Sequence, residues 1–141
     1  MNSWILRFLV VAAGLMLSGC LMERLEGEQQ ASELREATNT YRSAVRWGYF
    51  DTAYGFHRAE EGEPEPLQED IANIRVTSYE VAVPAVIREE GDGEKLATQT
   101  VIITYVHEDD QRQRVLRDNQ LWKYDAAHRA WYMISPMPFF E

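Results

Sequence analysis

The chain has 141 residues, 23 acidic against 14 basic side chains, a formal net charge of −9, 45% hydrophobic and 11% aromatic residues, and a single cysteine. That length and aromatic content suit one domain with a real core. The acidic balance argues against nucleic acid as a partner and against electrostatic adhesion to anionic lipid, and one cysteine excludes an intrachain disulfide.

The first element is a secretory signal. Arg7 and the amino terminus form a short n-region, Phe8 to Leu17 (FLVVAAGLML) is apolar, and Ser18-Gly19 precede Cys20. The uncharged run is shorter than the ~20 residues that span a hydrocarbon core. Leu17-Ser18-Gly19-Cys20 resembles the bacterial lipobox (Leu, then Ala or Ser, then Gly or Ala, then Cys) without departure. The resemblance implies a diacylglyceryl group on the Cys20 thiol, cleavage before Cys20 and usually acylation of the new amino terminus. Residues 1–19 are then the signal peptide, and residues 20–31 the lipidated cysteine and a polar tether passing into helix.

Cleavage removes Arg7 and no acid, so the mature chain keeps 23 acids against 13 Lys and Arg, a charge of −10. Its hold on the membrane must therefore come from the acyl chains, at about 0.8 kcal/mol per buried methylene. With the thiol committed to lipid, zinc–thiolate sites and cysteine nucleophiles drop out. Leu21, not Asp, follows the lipidated cysteine. By the sorting rule of enteric-type bacteria this implies the outer membrane, facing the periplasm.

From Ser32 the apolar residues Leu34, Ala37, Tyr41, Ala44, Val45 and Gly48 fall on one helical face, and Gly48 is placed to end the helix. Asp51 sits where an N-cap belongs, ahead of a short second helix near residues 52–58. Glu60 to Pro66, acidic and carrying two prolines, is a solvated loop. Residues 67–73 add one helical turn before strands begin.

The remainder alternates and is rich in β-branched and aromatic residues. Strands are predicted over 74–88, 96–107, 112–124 and 130–136, joined at Gly91-Asp92-Gly93, at Glu108–Gln111 and after Tyr124, as an antiparallel meander. The first places Tyr79, Val81, Val83, Ala85 and Ile87 on one face, with Pro84 marking an edge or a bulge. The second aligns Val101, Ile103 and Tyr105, and the third Leu116, Trp122 and Tyr124.

Helices followed by such a sheet give an α+β class, with N-terminal helices packed on a curved four-stranded antiparallel sheet as one domain over 32–141. Two stretches, YRSAVRWGYFDTAYGF (Tyr41 to Phe56) and the Trp-rich closing hairpin LWKYDAAHRAWYMI, resemble the nuclear transport factor 2-like group. Its cone-shaped, cystatin-like roll is shared with ketosteroid isomerases and SnoaL-like proteins. The resemblance spans most of residues 32–136 and implies a cone whose mouth can hold a ligand.

Enzymes of that group set an acid or base in the cone with a Tyr or Asp donating to a developing oxyanion. The candidates are Asp51, His57, Tyr41, Tyr54, Tyr79 and Tyr105. Asp51 reads first as a helix cap, Tyr41 as core with its hydroxyl satisfied, and Tyr79 and Tyr105 as ordinary strand residues. His57, between an apolar stretch and Arg58, is expected half-exposed with no role.

His57, His107 and His128 fall in separate elements without ligand spacing, so neither metal nor cofactor is expected. Trp122 and Trp131 are expected to close the cone. Phe139 and Phe140 either do the same or remain free to pack on a partner or a bilayer. Two functions follow. The first is a non-catalytic envelope lipoprotein, anchored at Cys20, that binds a protein partner or a small apolar ligand through residues such as Tyr41, Tyr54 and Trp122. The second is a small isomerase, dehydratase or hydrolase of the ketosteroid isomerase type using Asp51 or His57.

Overall fold

A computed structural model describes the backbone of residues 3–141 and the side chains from Leu21 onward. The expected signal peptide and the expected lipidation site, Cys20, lie outside the described side chains. The chain divides into two compact units, through Ser32 and from Glu33 to Glu141. Among the described residues no helix is long and apolar enough to cross a membrane.

Helix α1 spans Ser3–Arg46, so residues 21–32 are helical. In the second unit its buried side is Leu34, Tyr41, Ala44 and Val45, the spacing read from the sequence. Gly48 stops it. Its φ of +75° favours glycine, and two bonds complete a Schellman turn, Tyr49 N–H to Ala44 O (2.8 Å) and Gly48 N–H to Val45 O (3.2 Å).

Helix α2 spans Phe50–Tyr54, starting earlier than expected. Its N-cap is Tyr49, with no side-chain bond to the free amides, and Asp51 is an exposed first-turn residue. The capping expectation for Asp51 is therefore corrected. The Schellman turn leaves only residues 47–49 between the helices, so α2 opens directly on the buried Phe50. Asp51 retains a favourable helix-dipole position worth about a few tenths of a kcal/mol. Asp51→Ala should change stability by about 0.5 kcal/mol or less in thermal unfolding, where a lost cap would cost about 1 kcal/mol.

A 3-10 turn, Ile71–Asn73, leads into four strands: β1 Ile74–Glu89, β2 Lys95–His107, β3 Gln113–Asp125 and β4 Ala130–Met133. They form one open antiparallel sheet in sequence order, with β1 and β4 at the edges. The class is α+β, a helix packed on a four-stranded antiparallel sheet. The core joins the α1 side chains to Val101, Ile103, Trp122, Met133 and their neighbours.

One face assignment is corrected. β1 carries register irregularities at Val76/Ser78, Val81/Val83 and Val83/Val86. Each extra residue inverts the alternation. Ile74 and Val76 are therefore buried together with Tyr79, and Val83 turns to the opposite face at 46% exposed, while Val81 stays on the face of Tyr79, opposite Val101. Pro84 sits in the last irregularity of an edge strand, so edge and bulge coincide there. At the other end of β1, Arg46 Nη1 donates to Val76 O (2.8 Å), occupying an edge carbonyl that another strand could otherwise pair with.

Candidate functional site

The inner face of the sheet, the face covered by α1, carries a row of polar side chains. Gln99 on β2 and Asp118 and Gln120 on β3 are buried at 7%, 6% and 2% exposure. Strand pairing sets Val101 opposite Asp118 and Gln99 opposite Gln120, so all point inward with Trp122 one step further along.

Gln120 ties the group together. Its Nε2 donates one hydrogen to Asp118 Oδ2 (2.7 Å) and the other to the Tyr79 hydroxyl (2.9 Å), and its Oε1 accepts from Trp122 Nε1 (3.3 Å). Asp118 Oδ1 accepts no hydrogen bond from the described residues. Desolvation pushes the Asp118 carboxyl up to about 6 from 3.8, while the Gln120 bond offsets part of that rise. Burial also raises the Tyr79 and Tyr41 hydroxyls well above the usual tyrosine range, with the Asp118 charge contributing to both. The site thus holds a carboxyl that titrates near neutrality beside a phenol that stays protonated.

Tyr41 and Trp122 meet here, both wholly buried, with ring centroids 5.7 Å apart and edge to face. Tyr54 stands apart: its hydroxyl donates to Pro64 O (3.2 Å) and ties α2 to the acidic loop. Tyr105 donates to the terminal Glu141 carbonyl (3.0 Å) at the far end of β2.

His57 departs from its expected half-exposed state. It is 6% exposed because a parallel bridge to Met133 carries its backbone into the sheet edge, with Met133 N–H donating to Phe56 O (2.7 Å). Its Nδ1 lies 2.9 Å from Ser135 O and its Nε2 3.2 Å from the Tyr41 hydroxyl. A carbonyl can only accept, so Nδ1 carries the proton and Tyr41 donates to Nε2. Burial lowers the imidazole pKa, the Ser135 bond opposing it.

A lowered folded-state pKa means the unfolded chain binds the proton more tightly. The His57 contribution to stability is therefore fully present above the unfolded value of ~6.5 and lost as pH falls below it. Imidazole resonances of His57 should accordingly titrate below the free-histidine value, and titration at or above it would contradict the buried neutral ring.

Two grooves lie outside this cluster. One of about 400 Å³ runs between the end of α1 and the start of β1, lined by Arg46, Trp47, Arg75 and Glu108 among others. The other, about 440 Å³, lies between Pro66, Leu67 and Ile71 and the tail residues Met137 to Phe139. Among the described residues no group of His, Cys, Asp and Glu has the arrangement of a metal site.

Sequence reasoning missed Asp118, Gln99 and Gln120. The available signal was the two-residue step of Asp118 and Gln120 between Leu116 and Trp122, two apolar residues in the same inward alternation. Compared with protein-family models, curated proteins and solved structures, the chain matches none significantly.

Proposed function

We propose that the protein is a bacterial envelope lipoprotein, held by acyl chains on Cys20, whose domain binds a small, largely apolar ligand or a protein partner without catalysing a reaction. Leu17-Ser18-Gly19-Cys20, closing an apolar run at the only thiol, carries the anchoring part of this reading. Leu21 supports a location at the outer membrane, facing the periplasm. In the nuclear transport factor 2-like arrangement the helix-covered face of the sheet is the wall of a cone. We read Asp118 as the polar contact in that wall, for a ligand that offers one hydrogen-bond donor to Oδ1 among apolar surroundings.

Cys20→Ser should abolish palmitate labelling and leave uncut precursor at the inner membrane. Normal labelling and processing of that variant would end the lipoprotein reading. Ligand binding is tested by native mass spectrometry of the lipidated protein extracted in mild detergent. A small apolar adduct present in the wild type and lost in Asp118→Asn supports the reading.

Asp118 also favours the second reading, an isomerase or dehydratase. Asp51 is exposed and both His57 nitrogens are engaged, so the general base would be Asp118, with Tyr79 donating to the developing oxyanion. Conversion of enolisable β,γ-unsaturated ketones by the wild type and not by Asp118→Asn would favour the enzyme over the binding domain.

A further inference from the structure

The groove between the end of α1 and the start of β1 lies within the second unit and has a volume of about 400 Å³. Two arginines, Arg46 and Arg75, line it against a single acid, Glu108. It is therefore a positive site on a mature chain of formal charge −10.

Local structure fixes its walls. The left-handed turn at Gly48 ends α1 and leaves Trp47 68% exposed at the rim. Phe50 and Ile74, which also line the groove, belong to the buried core. Glu108 N–H donates to Asn73 O (2.9 Å), which pins the β2–β3 turn to the start of β1. Arg46 is held by its Nη1 bond to Val76 O (2.8 Å) and by its guanidinium lying over the Trp47 ring, 4.9 Å from the centroid. Arg75 makes no side-chain hydrogen bond or ion pair among the described residues, and Arg46 enters no ion pair there. Acids outnumber Lys and Arg 23 to 13 in the mature chain, yet neither guanidinium has taken a carboxylate.

We propose that this groove holds one unit of a carboxylate-bearing glycan, the chemistry of the peptidoglycan that fills the periplasm. The planar guanidinium forks bind the carboxylate. The C–H face of a sugar ring packs on the electron-rich face of the Trp47 indole, and Glu108 accepts from hydroxyls. The inference rests on the periplasmic placement proposed above and is independent of the Asp118 site.

Other anions fit less well. A nucleic acid places a charge every few ångströms, and those beyond the groove would meet the acidic remainder of the chain. A peptide adding to the β1 edge would need Val76 O, which Arg46 already occupies. A phospholipid headgroup supplies the anion but no flat ring face for Trp47. The volume lies at the small end of ligand sites, which suits one or two rings of a polymer that continues into solvent.

The test is co-sedimentation of the full-length chain, extracted in mild detergent, with purified peptidoglycan sacculi. The wild type should pellet although both partners are negatively charged. Arg75→Glu and Trp47→Ala, both at exposed positions, should each lower the bound fraction by roughly tenfold or more, the loss of one charge-assisted or stacking contact. Arg88→Glu, the same charge change near the other end of β1, should bind as the wild type does. Sacculi whose carboxylates are converted to methylamides should retain little wild-type protein. That arm uses the unaltered chain and decides the matter even where a variant fails to fold. No pelleting of the wild type, full retention of Arg75→Glu or Trp47→Ala, equal loss in Arg88→Glu, or undiminished binding to the methylamide sacculi would each overturn the proposal. Because the sacculi are supplied, the result stands apart from palmitate labelling at Cys20. A labelled chain that does not pellet ends the groove proposal and leaves the anchor reading intact, whereas an unlabelled chain that pellets does the reverse.

Discussion

Phe140→Ala should destabilise the domain by about 3–5 kcal/mol, while Phe139→Ala, one residue earlier, should change it by about 0.5 kcal/mol or less. Phe140 is 1% exposed and Phe139 is 69% exposed. The Phe140 ring packs edge-on against Tyr105 (centroids 5.0 Å) and Phe50 (5.8 Å), joining β2 to α2. Its backbone is held on both sides by Gln68, whose Nε2 donates to Phe140 O (3.1 Å) and whose Oε1 accepts from Phe140 N–H (2.8 Å). The terminal carbonyl of Glu141 then accepts from the Tyr105 hydroxyl (3.0 Å) and lies 2.9 Å from His107 Nε2. Removing the ring leaves a cavity that these bonds would keep from collapsing, which is the costly case. Urea unfolding followed by tryptophan fluorescence distinguishes the two variants. Equal losses would mean that the tail is not anchored through Phe140. The open choice for these residues is thus settled one way each: Phe140 closes the core and Phe139 faces solvent.

How far the fold can be read depends on whether a residue's local chemistry and its tertiary position agree. At the end of α1 they agree. Gly48 follows an apolar stripe of period 3.6 and occupies the left-handed position that ends a helix. In β1 they do not. From Val81 to Ile87 both alternating sets of positions are apolar, so periodicity cannot locate the irregularities, and simple alternation puts Val83 on the wrong face. Asp51 carries a strong cap signal, but chain geometry outranks it because the Schellman turn delivers Tyr49 to the cap position. His57 looks solvated because Arg58 and the acidic loop follow it, and no local pattern announces a bridge to a distant strand at Met133. Asp118 and Gln120 escape notice because polar residues in an alternating strand read as its wet face. Their register, fixed by Leu116 and Trp122, in fact puts them on the dry one.

The buried carboxyl makes a prediction of unusual sign: Asp118→Asn should stabilise the domain at about pH 7.5, by about 3 kcal/mol. Asp118 has its folded-state pKa raised from 3.8 to about 6 by desolvation. The folded protein therefore holds that proton more tightly than the unfolded chain does. Its stabilising contribution is complete below about pH 4 and is lost as pH rises to about 6. A rise of about two units corresponds to about 3 kcal/mol at ~1.36 kcal/mol per unit. Asn keeps an oxygen that can accept from Gln120 Nε2 and removes the cost of ionising the site. The pH profile should change as well. Between about pH 4 and 6 the wild type combines this loss with the opposite slope from His57, whereas Asp118→Asn retains only the His57 component. Urea midpoints at closely spaced pH values from about 4 to about 8 separate the two. A variant no more stable than wild type above neutral pH, with an unchanged profile, would mean that Asp118 is not desolvated and would remove it as a site. If the variant gains stability and loses its ligand or its turnover, the carboxylate is held at a cost to the fold for the sake of what it contacts. Retained binding together with lost turnover would assign that contact to proton transfer.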